Sequence, residues 1–177
     1  MNNYLIVIDM QNDFIDGSLG TPEAVSVVPQ AVKAARGFAG PLIFTRDTHD
    51  EDYLETQEGV NLPVIHCVKG TKGWEIQDEL MSIALERRAM IFDKNTFGSA
   101  HLAGCMTGIN RVTPIDEIRL IGVCTDICVI SNAMLLKAAL PETVISVDAS
   151  CCAGTTPEMH NKALDIMESC QIKVINR

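Results

Sequence analysis

Short apolar runs alternate with longer amphipathic stretches along the whole chain. Tyr4–Ile8 (YLIVI) is a compact, β-rich run and predicts a strand. Val25–Phe38 places Val28, Val32 and Ala35 at helical spacing, and Gly40-Pro41 breaks that helix. Leu42–Thr45 is the second strand, and a polar stretch from Arg46 to Asn61 follows it. Trp74–Leu85 predicts a helix with Ile76, Leu80, Ile83 and Ala84 on one face, and Ala89–Phe92 predicts a third strand. Ala100–Ile109 has a faint helical pattern, Ile118–Val123 is a fourth strand, and Ile127–Leu140 is a helix that Pro141 ends. Thr143–Val147 predicts a fifth strand, Pro157–Ser169 a helix with Pro in its first turn, and Ile172–Ile175 a sixth strand.

Six strands alternating with five helices predict an α/β fold: a three-layer (α/β/α) arrangement around a six-stranded, mostly parallel sheet. The strands are continuous apolar runs, as expected when helices cover both faces. The length of 177 residues predicts a single domain, 1–177, with one sizeable core.

Composition narrows the function. A hydrophobic fraction of 47% with 21% charged residues predicts a soluble globular protein. The formal charge of −9, with no basic run, argues against nucleic acid or an anionic membrane surface as partner. The longest apolar run near the start, Leu5–Ile8, is far short of the ~18 residues a bilayer requires, and no secretory leader is expected. Seven cysteines, an odd number with no small-scaffold spacing, predict reduced thiols and a cytoplasmic location.

The chemistry sits where the strands end, since ligands of open α/β sheets bind beyond the carboxyl ends of strands. The first run ends in Asp9, the second in Arg46-Asp47-Thr48-His49, and the third in Asp93-Lys94. The fourth ends in Cys124-Thr125-Asp126-Ile127-Cys128, and the fifth in Asp148. Cys128 follows two residues suited to helix capping, Thr125 and Asp126, which places it in the first turn of a helix. There the helix dipole and a nearby ammonium would lower a thiol's pKa. By spacing alone Cys128 is either such a nucleophile or a small buried apolar residue. Asp47 and His49, two apart on an extended segment, share a face, and His66 follows at a distance. Carboxylate plus imidazole suits zinc, iron or manganese. A four-cysteine zinc site is disfavoured because no C-x-x-C pair occurs.

Five ordered motifs carry a resemblance. They are Asp9-Met10-Gln11-Asn12-Asp13-Phe14, Arg46-Asp47-Thr48-His49, His66-Cys67-Val68-Lys69-Gly70-Thr71-Lys72-Gly73, Lys94-Asn95-Thr96-Phe97 and Gly122-Val123-Cys124-Thr125-Asp126-Ile127-Cys128-Val129. In order and spacing they resemble the isochorismatase-like cysteine hydrolases, and among these the nicotinamidases. The resemblance implies a catalytic triad of Asp9, Lys94 and Cys128, and an oxyanion hole from the backbone N–H groups of Cys124 and Cys128. It implies one divalent transition metal at Asp47, His49 and His66, zinc foremost, with iron or manganese as alternatives. It places Glu55 as the further metal ligand, with Glu58 as second choice. Phe14 matches a substrate-binding aromatic, and Phe97 and Trp74 are further candidates.

The implied reaction is hydrolysis of nicotinamide to nicotinate and ammonia through a cysteine thioester. The alternative is another family hydrolase acting on a different small amide or carbamate, or on isochorismate. The family also implies a homo-oligomer and a small-molecule amide as the partner. The sequence departs from the nicotinamidase pattern in two places. Leu62 stands where an aromatic usually precedes the Pro-containing element, and Thr48 lies between Asp47 and His49 where Trp is common. His101 and His160 read as surface or supporting residues, and Cys67, Cys105, Cys151, Cys152 and Cys170 as packing.

Overall fold

The computed structural model describes residues 1–177. In chain order the elements begin with β1 (Asn3–Ile8), α1 (Asn12–Ile15), α2 (Pro22–Gly37) and β2 (Leu42–Asp47). A 3-10 turn, Tyr53–Glu55, then leads to α3 (Gln57–Asn61), α4 (Asp78–Glu86), β3 (Met90–Lys94), α5 (Ala100–Val112) and β4 (Glu117–Val123). A π-type turn, Thr125–Val129, precedes α6 (Ile130–Ala139), β5 (Val144–Ala153), α7 (Pro157–Ser169) and β6 (Lys173–Ile175). None of the helices is long and apolar enough to cross a membrane.

All strand pairings are parallel, and the order is β3-β2-β1-β4-β5-β6. The chain therefore starts in the middle of the sheet, winds to one edge, then returns to lay β4 beside β1. Alternate side chains of each strand feed opposite cores. Ile6, Ile8, Ile43, Ile118 and Leu120 pack with Leu102 and Met106 of α5, Ala133 and Leu136 of α6, and Leu164 and Met167 of α7. Leu5, Val7, Leu42 and Phe44 face Ala31 and Ala35 of α2 and Leu80 and Ile83 of α4. Each buried Leu or Ile contributes about 1.5–3 kcal/mol, so both faces must be covered for the sheet to persist.

The reversal of winding direction lies between the carboxyl ends of β1 and β4, the place where such sheets open a crevice. Gly122 makes the close approach possible there. Its φ of +125° is open to glycine, and a Cβ would run into the Ile8 carbonyl. The register between β4 and β5 also shifts between Leu120 and Gly122.

Several element boundaries differ from the sequence reading, and three of them change where a key side chain lies. α2 starts earlier, because the Thr21 side chain accepts the Ala24 N–H at 3.0 Å and Pro22 occupies the first turn. α4 starts only at Asp78, because the Gln77 side chain caps it through the Leu80 N–H at 3.0 Å, which leaves Trp74 outside the helix. β5 runs on to Ala153, so Asp148 does not end a strand. It lies buried in mid-strand, beside Ile175 of β6, and accepts from Ser150 Oγ and Asn176 Nδ2.

Candidate active site

Strand register assembles the first half of the site. Asp9 follows β1 directly, in the left-handed region at φ 46°, and is fully buried. Thr45 of β2 holds it twice: its hydroxyl donates to Asp9 Oδ1 at 2.6 Å and accepts the Asp9 N–H at 3.2 Å. Asp47 is two residues further along β2 on the same face, and the β2–β3 register pairs it with Lys94. Lys94 Nζ consequently lies 2.6 Å from Asp9 Oδ2, 3.3 Å from Asp47 Oδ1 and 3.6 Å from Cys128 Sγ. Cys128 arrives from β4 through a cis Val123–Cys124 bond and the π-type turn, in which the Val129 N–H bonds the Cys124 carbonyl at 3.0 Å.

This differs from the expected capped helix start. Asp126 does not cap its own turn; it accepts from the Thr155 N–H at 2.8 Å and the Thr155 hydroxyl at 2.6 Å. The Thr125 hydroxyl pairs with His160 Nδ1 at 2.8 Å. The turn carrying Cys128 is thus tied to the start of α7, and His160 supports it.

Burial dominates the electrostatics. It pushes the Cys128 thiol well up, and the Asp9 charge adds to the rise, with Lys94 only partly opposing them. The lowering expected from a helix end and a nearby ammonium is thus opposed here by burial and by the Asp9 charge. Burial also raises the Asp9 carboxyl, against the pull of Lys94. For Lys94 burial acts downward, but Asp9, Cys128 and Asp47 outweigh it and hold the ammonium charged. The Cys124 thiol is pushed up to about 12 by burial and by Asp126.

The second half of the site is a donor cluster. One ligand atom each from Asp47, His49, Glu58 and His66 lie within 4.8 Å of one another. His66 Nδ1 donates to the Val64 carbonyl at 2.7 Å, which leaves the Nε2 lone pair facing Asp47 Oδ2 at 3.6 Å. His49 Nε2 lies 3.1 Å from the same oxygen, and Glu58 Oε1 lies 3.6 Å from His49 Nε2. Two imidazoles and two carboxylates converging this closely fit a divalent transition metal such as zinc, iron or manganese.

Glu58, and not Glu55, joins this cluster. The Thr56 hydroxyl caps α3 by accepting the Gly59 N–H at 3.0 Å, so the helix turns Glu58 inward. Glu55 ends the preceding 3-10 turn and is exposed.

Both halves open into one cavity of about 320 Å³. Asp47, Glu58, His66, Cys124 and Cys128 meet there with an apolar wall of Phe14, Leu19, Leu62, Phe97 and Ile127. The Cys124 N–H has no partner within the chain, so it is available to a ligand oxygen. An outer cleft of about 740 Å³ continues from the cavity, sharing Glu58, Leu62, Phe97 and Ile127. Trp74 lines neither space. Its indole N–H donates to Thr48 Oγ1 at 2.8 Å, and the Arg46 guanidinium sits 3.4 Å from its ring centroid.

Several supporting residues were quoted in motifs without a role. Gln11, fully buried, clamps the Asp47 backbone through both its amide atoms, at 2.6 and 2.8 Å. Asp13 Oδ2 accepts the Cys67 N–H at 2.8 Å and so holds the turn beside His66. Thr45 and Asn132 carried no warning in the sequence beyond being polar within apolar runs.

Comparison with known proteins places this geometry. The isochorismatase domain model matches residues 3–177. A nicotinamidase of Saccharomyces cerevisiae is 25% identical, covering 98% of this chain and 99% of that protein. The crystal structure of a nicotinamidase from Bacillus subtilis superposes with a TM-score of 0.82 at 27% identity, covering 98% of this chain and 99% of the other. A pyrazinamidase of Pyrococcus horikoshii, solved in complex with zinc, gives 0.80 at 25% identity, with all of both chains covered.

Proposed function

The chain belongs to the isochorismatase family, and we propose that within it the protein is a nicotinamidase-type amidohydrolase that converts nicotinamide and water to nicotinate and ammonia. One observation carries this reading: a cavity-lining thiol lies 3.6 Å from an ammonium that is paired with a buried carboxylate, and the same cavity wall includes three of the four residues of a metal-type cluster. The cavity is at the small end of ligand pockets and suits a single ring with one polar substituent.

Cys128 is the nucleophile. Asp9 takes the thiol proton as sulfur bonds to the amide carbon, and the burial that raises its carboxyl makes it a better proton acceptor. Lys94, 3.6 Å from the sulfur, stabilises the negative charge that develops there. The N–H groups of Cys124 and Cys128 receive the tetrahedral oxyanion, and each such donor is worth about 3–4 kcal/mol. Collapse breaks the C–N bond as Asp9 returns its proton to the leaving nitrogen, which departs as ammonia. Asp9 then deprotonates a water that attacks the thioester, the C–S bond breaks, and the sulfur regains a proton. Asp47, His49, Glu58 and His66 would hold a divalent metal, zinc foremost, which supplies Lewis acidity for a ring nitrogen or a water. Phe14 and Phe97 pack against the ring. A homo-oligomeric assembly belongs to the same reading and is measured by light scattering.

Ammonia release tests the proposal. Purified metal-loaded protein should release ammonia from nicotinamide, and Cys128→Ala should not. Turnover of an aliphatic amide or carbamate with none of nicotinamide would keep the cysteine hydrolase and overturn its substrate.

A further inference from the structure

Every polar atom of the Asn132 side chain is engaged. Asn132 lies in the first turn of α6, four residues beyond Cys128, and is 1% exposed. Its amide nitrogen donates to the Cys128 carbonyl at 2.8 Å and to the Phe97 carbonyl at 3.1 Å, and its Oδ1 accepts the Ser99 N–H at 3.0 Å. The three partners are main-chain groups of two separate segments: the turn after β4 and the loop from Lys94 to Ser99. Between these segments the only other hydrogen bond is the Lys94–Cys128 contact itself.

The arrangement answers a local need. The π-type turn departs from the regular helical ladder beside Cys128, and the Asn132 amide supplies a side-chain donor to the Cys128 carbonyl there. The loop is also pressed onto α6 at Gly98, where a Cβ would meet Leu135 Cδ1 at 2.7 Å and the Ser131 carbonyl carbon at 3.1 Å. Phe97, on the same loop, lines both the cavity and the outer cleft.

We propose that Asn132 is a positioning residue that locks the Cys128 turn to the Lys94–Ser99 loop, setting Cys128 against Lys94 and Phe97 against the substrate ring together. The inference rests on the reading of Cys128 as nucleophile. Asn132 itself touches neither substrate nor reacting atoms. Its two arms can be separated. A threonine in a helix donates its hydroxyl to the carbonyl four residues back, which here is that of Cys128. Asn132→Thr therefore keeps the nucleophile arm and releases the Phe97–Ser99 arm, whereas Asn132→Ala releases both.

The test combines steady-state ammonia release from nicotinamide with two readouts independent of turnover: hydrogen exchange at the Ser99 amide and the rate of Cys128 alkylation by iodoacetamide. Asn132→Ala should lower kcat about tenfold, raise KM several-fold, lose Ser99 protection and speed alkylation of the freed, formerly buried thiol. Asn132→Thr should bring kcat to within about threefold of wild type and restore the alkylation rate, while KM stays raised and Ser99 stays unprotected. Ile145→Val, a core change on β5 remote from the site, should lower the Tm and leave kcat, KM and Ser99 protection unchanged.

Wild-type kcat, KM and Ser99 protection in Asn132→Ala would overturn the role, as would identical losses in the Ala and Thr variants. Should Asn132→Ala fail to fold, Asn132→Thr and Gly98→Ala decide. Both should raise KM and expose Ser99 with kcat kept, and unchanged values in both overturn the role. A wild type inactive on nicotinamide overturns the substrate reading alone, and the exchange and alkylation readouts still decide on Asn132.

Discussion

The two halves of the site rest on different kinds of backbone. Asp9, Thr45, Asp47 and Lys94 stand at the adjacent ends of β1, β2 and β3, where strand register fixes their spacing and each is buried. Glu58, Leu62 and His66 come from the segment between β2 and α4, built of a 3-10 turn, one short helix and irregular chain. Leu54, Val60, Leu62 and Ile65 of that segment are exposed. The two kinds of backbone divide the labour. The proposed proton-handling groups Asp9 and Lys94 sit where the sheet's hydrogen bonds set distances, Asp47 belongs to both halves from the end of β2, and Glu58, Leu62 and His66 sit on chain without a strand ladder. Changes in the first half should therefore strike kcat, and changes in the second KM or metal affinity.

Loss of the sulfur should be the most severe change. Cys128→Ala is expected to reduce kcat by about 10⁴-fold or more in ammonia-release kinetics, with nothing comparable from Cys124→Ala, whose backbone N–H persists. Asp9→Asn follows, lowering kcat by about 10²–10⁴-fold, because it removes the carboxylate that hydrogen-bonds the thiol. Lys94→Met tests the same half through stability. Removing the buried cation leaves Asp9 and Asp47 uncompensated, so the unfolding free energy from denaturant titration should fall by about 3–5 kcal/mol.

The loop half is probed next. Glu58→Gln should weaken zinc binding at least about tenfold by competition with a chromophoric chelator, while Glu55→Gln leaves it unchanged. Equal effects of the two variants would erase the contrast between α3 and the turn before it. Leu62→Trp is the mildest. It places an aromatic on the cavity wall and should lower KM for nicotinamide roughly three- to tenfold without helping an aliphatic amide.

The same division decides how much could be read from the chain. The six strands and their order along the sequence were legible because each is a dense apolar run, and Asp9, Asp47, Lys94 and Cys128 were legible as the polar residues ending them. Glu58 was not. Its position depends on where α3 begins, which the Thr56 cap decides inside a uniformly polar stretch with no hydrophobic period. Asp148 misled because the apolar pattern of β5 pauses there while the strand continues. Thr125 and Asp126 misled in a different way: both suit helix caps, but tertiary partners on and before α7 claim their side chains. The bonds from Asn132 to Phe97 and Ser99 have no local signature, since they join segments far apart in sequence.

The thioester is the step on which the mechanism stands. Wild-type protein turning over nicotinamide, quenched in acid and mapped by peptide mass spectrometry, should carry a nicotinoyl group on the Cys128 peptide and on no other cysteine. Steady ammonia release with Cys128 unmodified, or with the acyl group on Cys124, would contradict it.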